Sequence, residues 1–141
     1  MSLVMAFGTF DLLHPGHKYF LRMAKNHGGC LIIVIARDRT VKEVKGRMPY
    51  HGEKQRQRAV KGQNIADKVI LGSLTDNYAA IKKYRPKIIV LGYDQTNFTH
   101  QLRAGLNKLK LKTKIIRLKP FRARKYKTSI LKHEKRLSKN I

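Results

Sequence analysis

The sequence predicts a single α/β domain in which helices cover both faces of a five-stranded parallel sheet. Two observations lead to this prediction: segments with strand character alternate with helical segments along the chain, and the strand segments are continuous apolar runs. Strands of a parallel sheet are buried on both faces, so they lack the alternation of polar and apolar residues seen in half-exposed strands. At 141 residues the chain has the length of one domain, and we expect that domain to span residues 1–141.

The first half of the chain predicts two long apolar strands and three helical segments. An apolar stripe at Tyr19, Phe20, Met23 and Ala24 indicates a helix that begins at Pro15. The predicted elements are the strand Leu3–Phe7, this helix ending before His27, the strand Cys30–Ala36, a short helix or turn over Arg37–Val44, a loop over Lys45–Gly52 and a charged helix over Glu53–Gly62.

The second half continues the alternation with shorter strands. Its predicted elements are the strand Lys68–Leu71, a helix around Asn77–Tyr84, the strand Lys87–Leu91, a loop over Gly92–Asn97, a helix over about Thr99–Leu109, the strand Lys114–Leu118, and a basic loop before a terminal helix from about Thr128. Ligands of such open, Rossmann-like sheets bind beyond the carboxyl ends of the strands, where the strand order switches. The loops Gly8–His17, Gly92–Gln95 and Lys119–Ser129 should therefore converge on one crevice.

Charge and cysteine content narrow the class of protein. The formal net charge is +24, concentrated in a basic C-terminal segment at about residues 119–141, and it favours phosphate-bearing partners such as nucleotides, nucleic acids or anionic lipids. A solvated basic surface without a specific partner explains the excess equally well. With Cys30 as the single cysteine, a disulfide within the chain and a cysteine-rich zinc site are excluded, and we expect a reducing, cytoplasmic location. The apolar runs are too short to cross a membrane.

The loop after the first strand, GTFDLLHPGH over residues 8–17, carries the candidate chemistry. It opens a helix, whose N-terminal N–H groups and dipole favour a phosphate, and Gly16 would let a ligand approach the backbone closely. His14 and His17 flank that position. A polar pair without a ligand or a metal pair are the alternatives, but the proline and glycine between the histidines disfavour a metal site.

This loop resembles the His-x-Gly-His signature of the nucleotidyltransferase superfamily, which includes glycerol-3-phosphate cytidylyltransferase and the archaeal FAD synthases. The second signature of that superfamily, an arginine followed by a Ser/Thr run at a helix start, is matched by Arg122 with Thr128 and Ser129, although Lys127 stands where the first serine is usual. Further matches are Glu53–Arg56, Asp67 and Leu91–Gln95. A second set of segments looks closer to the archaeal FAD synthases than to the cytidylyltransferases: Ala36–Thr40, Lys45–Arg47, Leu71–Thr75 and Leu91–Gln95.

The resemblance implies that a phosphate monoester attacks the α-phosphorus of a nucleoside triphosphate and expels pyrophosphate, with Mg²⁺ carried by the triphosphate. The substrates implied are ATP and FMN. The alternative is transfer from CTP to glycerol 3-phosphate or a similar phosphorylated alcohol, and a more distant one is a basic nucleic-acid-binding module. A homodimer is suggested only by the likeness to the cytidylyltransferases.

Roles for individual residues follow from the same resemblance. His14 and His17 would contact the α- and β-phosphates as charged or neutral donors, and Lys45, in a loop over the site, would contact the phosphate of the acceptor. Arg122 and the N–H groups of Thr128 and Ser129 would hold the β- and γ-phosphates.

The remaining candidates would line the nucleotide. Pro15 and Gly16 begin the helix beside the phosphates, and Thr9 and Phe10 would contact the nucleotide at the strand end, although Phe10 could equally be a core aromatic. The other candidates are Asp11, which would hold a cation, orient a histidine or serve as a turn residue; Asp94, which would accept from a ribose hydroxyl or the base amino group; and Phe121, which would stack on the base or cover the sheet edge.

Overall fold

A computed structural model of the chain describes residues 2–95 and 99–121. The strands are β1 (Leu3–Gly8), β2 (Cys30–Ile35), β3 (Lys68–Leu71), β4 (Ile88–Leu91) and β5 (Lys114–Arg117), and the helices are α1 (Pro15–Lys25), α2 (Asp38–Lys45), α3 (Glu53–Lys61), α4 (Ala79–Tyr84) and α5 (Thr99–Lys108). The predicted terminal helix and the candidates Arg122, Thr128 and Ser129 lie outside the described residues.

The five strands form one sheet in the order β3-β2-β1-β4-β5, and all four pairs are parallel. In the centre of the sheet, Met5 of β1 lies opposite Ile32 of β2 on one side and Ile89 of β4 on the other. The chain moves outward from β1 through β2 to β3, then returns to the other side of β1 for β4. The strand order therefore switches between β1 and β4, where a crevice is expected.

Each face of the sheet carries its own apolar core, so the prediction of a sheet covered on both sides is confirmed. Alternate residues of β1 belong to different cores: Val4 and Ala6 face one, with Leu21 of α1 and Val60 of α3, while Met5 faces the other. The second core contains Ile81 of α4 together with Leu102 and Leu106 of α5. Because side chains of a strand point alternately to opposite faces, continuous apolar runs are needed to fill both cores.

The bounds of the helices and strands agree with the predictions to within one or two residues. One of these small differences, at the end of α2, concerns a candidate site residue. Lys45 was expected in a loop, but it is the last residue of α2, which ends at Gly46 in a left-handed conformation (φ 79°). A glycine adopts this conformation without strain, so the helix extends one residue further than its apolar pattern indicates. Within residues 2–95 and 99–121, no helix is long and apolar enough to span a membrane.

Candidate active site

The two candidate histidines begin helix α1 and cap each other's backbone. His14 is the N-cap residue, and its Nδ1 accepts a hydrogen bond from the N–H of Gly16 at 3.0 Å. Three residues later, Nδ1 of His17 accepts from the N–H of His14 at 3.3 Å. This is the reciprocal pattern of a capping box, built here from two imidazoles. The rings stack with their centroids 3.9 Å apart.

These contacts indicate which nitrogen of each imidazole ring carries the hydrogen. Since each Nδ1 accepts a backbone hydrogen bond, the neutral form of each ring carries its hydrogen on Nε2. Burial lowers the pKa of His14, and burial lowers the pKa of His17 to about 4, where the neighbouring His14 and Lys45 also act to lower it and Asp11 opposes them. Of the two protonation states left open by the sequence, the neutral one is therefore present at pH 7. The pair presents two neutral N–H donors.

Gly16 has a different role from the one predicted. Its N–H, expected to face a phosphate, donates to His14, and the N–H groups of His17 and Lys18 donate to the carbonyl of His14 at 2.9 and 3.2 Å. A Cβ on residue 16 would lie 2.8 Å from Cε1 of His14, which is closer than real contacts allow. Glycine is therefore required so that the His14 ring can fold over the helix start, and the rings, more than the backbone, offer donors to a ligand.

Asp11 fastens the loop after α2 to the loop that holds the histidines. Its carboxylate accepts from the N–H of Tyr50 at 2.6 Å and from the N–H of His51 at 3.0 Å. These contacts join two loops that are far apart in sequence, which is a role that the sequence did not predict for Asp11. Asp11 and Lys45 both influence the pKa of His17, which places one carboxylate and one ammonium group in the electrostatic surroundings of the histidine pair.

A fully buried arginine, Arg56 of α3, connects two loops around the site with the start of α2. Its guanidinium donates to the carbonyl of His51 at 2.9 Å, to the carbonyl of Thr9 at 2.8 Å and to the carboxylate of Asp38 at 2.7 Å. The carbonyl of Thr9 is therefore held in place from within the protein. Sequence reasoning noted Arg56 as part of a family match but not as a buried residue, because it lies in a run of charged residues.

On the other side of β1, Gln95 holds the ends of β1 and β4 together. Its side-chain nitrogen donates to the carbonyl of Phe7 and its side-chain oxygen accepts from the N–H of Gly92, both at 2.7 Å. Arg117 of β5 donates to the carbonyls of Gly92 and Gln95 at 2.8 Å. This bracing forms the switch-point loop and presents Asp94 on its exposed surface. Neither Gln95 nor Arg117 had been assigned a role as an individual residue from the sequence.

The aromatic candidates are both part of the protein's own packing. Phe10 is 5% exposed within the core, and its ring lies 5.6 Å from the His17 ring, which it supports. The core alternative stated for Phe10 is thus the observed one. Phe121 is half-buried and lies 5.0 Å from the ring of Tyr19 on α1. The chain leaving β5 is thereby brought against the helix that begins at the histidine pair.

Within residues 2–95 and 99–121, no three His, Cys, Asp or Glu side chains form a group that could hold a metal ion. Asp11 is the described acid nearest in sequence to the histidines, and it is engaged by two loop N–H groups. The donor set around His14 and His17 is thus made of N–H groups and Lys45, which suits an anion.

Comparison with known proteins agrees with this geometry. Residues 5–134 match the model of a family described as cytidylyltransferase-like. The chain belongs to the cytidylyltransferase-like family. The match contains four strands in full, most of β1 and the His14–His17 loop, so the family resemblance stated from the motifs is confirmed.

Individual relatives of this cytidylyltransferase-like protein extend the comparison. The chain is 41% identical to the FAD synthase of Methanohalophilus mahii over 118 residues, which cover 84% of this chain and 82% of the relative. Among solved structures, a lipopolysaccharide core biosynthesis protein from Thermoplasma volcanium superposes with a TM-score of 0.81 at 36% identity, over 86% of this chain and 98% of the other. A protein of unknown function from Archaeoglobus fulgidus, at 19% identity and a TM-score of 0.68 over 84% of this chain and 90% of that chain, shows the same fold.

Proposed function

We propose that the protein is a nucleotidyltransferase that transfers the AMP part of ATP to the phosphate of FMN, forming FAD and pyrophosphate. An oxygen of the FMN phosphate bonds to the α-phosphorus of ATP, the bond from that phosphorus to the oxygen bridging to the β-phosphate breaks, and pyrophosphate leaves. The choice of substrates rests on the 41% identity to an FAD synthase. The chemistry rests on one observation, the stacked pair of histidines whose Nδ1 atoms both accept hydrogen bonds from backbone N–H groups.

The histidine pair supports transfer through charge stabilisation. The FMN phosphate is anionic at pH 7, so the reaction needs no general base, and the protein must align the reactants and stabilise the charge that spreads over the phosphoryl oxygens. Two Nε2–H groups held by a helix cap require no reorganisation when a phosphate arrives. Lys45, whose charge reaches His17, would add a cation for the phosphates.

Other contacts in this proposal come from the switch point and from the C-terminal segment. Asp94 would accept from the ribose or the base, on the loop braced by Gln95. Arg122, Thr128 and Ser129 would hold the β- and γ-phosphates. Phe121, whose ring packs against Tyr19 of α1, directly precedes Arg122. Mg²⁺ would be bound mainly by phosphate oxygens and water, and it would neutralise triphosphate charge.

The test is a substrate panel with magnesium, pairing ATP or CTP with FMN, glycerol 3-phosphate or phosphocholine, and measuring pyrophosphate and the nucleotidyl product. We expect turnover with ATP and FMN. Turnover of CTP with an alcohol phosphate would replace the substrate assignment, and salt-sensitive binding of nucleic acid without turnover would replace the enzymatic proposal.

Two variants separate chemistry from folding in this test. His14→Ala with His17→Ala removes both the donors and the cap, and we expect kcat to fall by a factor on the order of 10² or more. His14→Asn is the matched variant, because asparagine keeps an N-cap acceptor but lacks the Nε2–H donor. An equally large loss in His14→Asn, with an unchanged melting temperature, supports the donor role. Full activity in His14→Asn would contradict it.

A further inference from the structure

A cationic surface lies at the edge of the sheet opposite the histidine pair. All strand pairs are parallel, so the amino ends of the strands share this edge with the loops and helix ends beside them. Eight exposed cations belong to it, and we call them the amino-edge surface: Lys68, Lys83, Arg85, Lys87, Lys108, Lys110, Lys112 and Lys114. They come from the start of β3, the ends of α4 and α5, and the segments that lead into β4 and β5.

Hydrogen bonds hold two of these segments side by side. The side chain of Thr113, which is 2% exposed, donates to the carbonyl of Pro86 at 2.7 Å. The N–H of Lys114 donates to the carbonyl of Lys87 at 2.9 Å. The cations before β4 and those before β5 therefore form one continuous surface.

A ring contact extends the amino-edge surface to the other side of the sheet. The ammonium groups of Lys68 and Lys83 each lie 5.3 Å from the centre of the Tyr84 ring, which attracts both cations. The surface thus reaches from β3 to β5. With neighbouring strands about 4.8 Å apart, this distance is roughly 19 Å.

Acidic side chains do not neutralise the amino-edge surface. The sequence contains no Asp or Glu over residues 77–93 or 95–121. Asp67, which precedes Lys68, is held by the ammonium group of Lys25 and by the N–H of Leu31. Of the ion pairs within residues 2–95 and 99–121, none includes a residue of the amino-edge surface. Because the like charges repel one another, binding of a polyanion is favourable there.

The amino-edge surface is too far from the histidine pair to act on its substrates. The N–H of Lys87 donates to the carbonyl of Leu3, the first residue of β1, at 2.9 Å. The histidine loop leaves β1 at its other end, after Gly8, and a strand of this length spans roughly 17–20 Å. Charges at that distance are screened, since the Debye length is about 8 Å at physiological ionic strength. The partner of this surface is therefore a separate one.

The pattern of the lysines fits a polymer of phosphates. Leu111 and Thr113 are buried, whereas Lys110, Lys112 and Lys114 are exposed. Cations at alternate residues of an extended chain repeat about every 7 Å, which gives a row of charges instead of a pocket for one anion. All members of the surface except Arg85 are lysines, which contact phosphate as point charges without the fixed paired geometry of arginine. Such contacts hold a phosphate backbone and do not read a sequence.

A lipid surface fits this edge less well. Peripheral membrane binding needs apolar side chains that enter the lipid layer in addition to cations. In the part of the chain that the structure describes, the exposed large apolar residues are Val44, Met48, Tyr50, Leu74 and Tyr93. None of them lies in the segments that form the amino-edge surface.

We propose that the amino-edge surface binds nucleic acid through its phosphate backbone, independently of sequence. Because this surface and the histidine site lie at opposite edges of the sheet, both can be occupied at once. The inference goes beyond the proposed function and does not depend on it.

The experiment measures binding of a short, fluorescently labelled single-stranded RNA of mixed sequence at a series of salt concentrations, without ATP or FMN. The test variant combines Lys110→Gln, Lys112→Gln and Lys114→Gln. Each phosphate contact contributes about 0.7 to the slope of log Kd against log salt concentration, so we expect this slope to fall by about 2. Kd at about 0.1 M salt should rise by a factor on the order of 10².

Two controls separate position from net charge and from folding. The first combines Arg22→Gln, Lys54→Gln and Arg58→Gln, which remove the same charge from exposed positions on α1 and α3 and should leave Kd close to that of wild type. The second replaces the three lysines of the test variant by arginine, which keeps the charge and should restore binding. Melting temperatures show that all variants are folded.

Equal weakening in the test variant and the first control would show that only net charge matters and would overturn the proposal. Unchanged binding in the test variant would place the nucleic acid elsewhere and also overturn it. The same holds if the wild-type protein binds no RNA at about 0.15 M salt. Vesicles of phosphatidylglycerol or poly-glutamate that bind in place of RNA, and lose binding in the test variant, would assign the surface to lipid or to an acidic protein instead. Since the assay contains neither ATP nor FMN, its failure leaves the proposed function standing, and a failure to form FAD leaves this surface standing.

Discussion

Replacing Arg56 by methionine tests whether one buried side chain holds the site loops together. Arg56 is 0% exposed and donates to the carbonyls of Thr9 and His51 and to the carboxylate of Asp38. Methionine fills similar space but donates nothing, so two carbonyl groups and one carboxylate would lose their partner. Removing one member of a buried ion pair costs about 3–5 kcal/mol.

The lower end of that range applies here, because the side chain of Asp38 is 27% exposed and water can solvate part of its charge. A loss of about 3 kcal/mol in the free energy of unfolding corresponds to a fall in melting temperature of roughly 6–12 °C for a chain of this size. The control is Arg58→Met on the same helix, where the side chain is exposed and the expected change stays within about 0.5 kcal/mol.

The assay is thermal unfolding followed by circular dichroism, with both variants and the double variant Asp38→Asn with Arg56→Met. Neutralising Asp38 removes the unpaired charge, so the double variant should recover part of the lost stability. If Arg56→Met melts within about 2 °C of Arg58→Met, the three contacts do not stabilise the fold and the argument fails.

Three further predictions concern the site itself. First, the pKa of His17 is lowered to about 4 in the folded protein, so between about pH 6.5 and 4 the unfolded chain binds a proton that the folded chain does not. The free energy of unfolding therefore falls as the pH falls through this range. His17→Gln should reduce this loss by about 3 kcal/mol, measured by urea unfolding at both ends of the range. An acid dependence equal to that of wild type would show that His17 does not cause it. Second, Asp11→Asn keeps one acceptor oxygen for two loop N–H groups, so limited trypsin digestion should cleave the loop after α2 several-fold faster; an unchanged cleavage map would refute the fastening role. Third, Gln95→Ala removes both contacts that join the ends of β1 and β4, and KM for ATP should rise about tenfold at saturating FMN, whereas a rise in KM for FMN alone would place the nucleotide elsewhere.

The sheet could be predicted because its physical cause is local. A parallel strand buried on both faces needs consecutive apolar residues, and runs such as Leu31–Ile35 satisfy this requirement within the sequence itself. The glycine and proline positions then bounded the elements to within a residue or two. The histidines could be placed at a helix start for the same reason, since the Pro15–Gly16 pair and the apolar stripe after it are local signals.

The contacts that shape the site could not be predicted, because their partners are backbone groups far away in sequence. Within the charged sequence of α3, no local signal distinguishes buried Arg56 from exposed Arg58. The carbonyl groups that bind Arg56 belong to other loops of the chain. Similarly, a glycine at position 16 can allow either a ligand or the His14 ring to come close to the backbone. The structure shows the His14 ring in this position. Phe10 was left between two roles because burial depends on the whole fold.

The central position of β1 in the sheet has a consequence for how specificity can change. The histidine loop follows the middle strand, the loops after β2 and β3 lie on one side of it, and the loop that bears Asp94 follows β4 on the other side. The loops on the two sides of the histidines thus belong to separate stretches of the chain, and one can be changed without the other. An exchange of the stretch from residue 37 to residue 74 between relatives should therefore leave the histidine loop and the Asp94 loop with the contacts that they have here, provided that Asp38, Tyr50, His51 and Arg56 are kept.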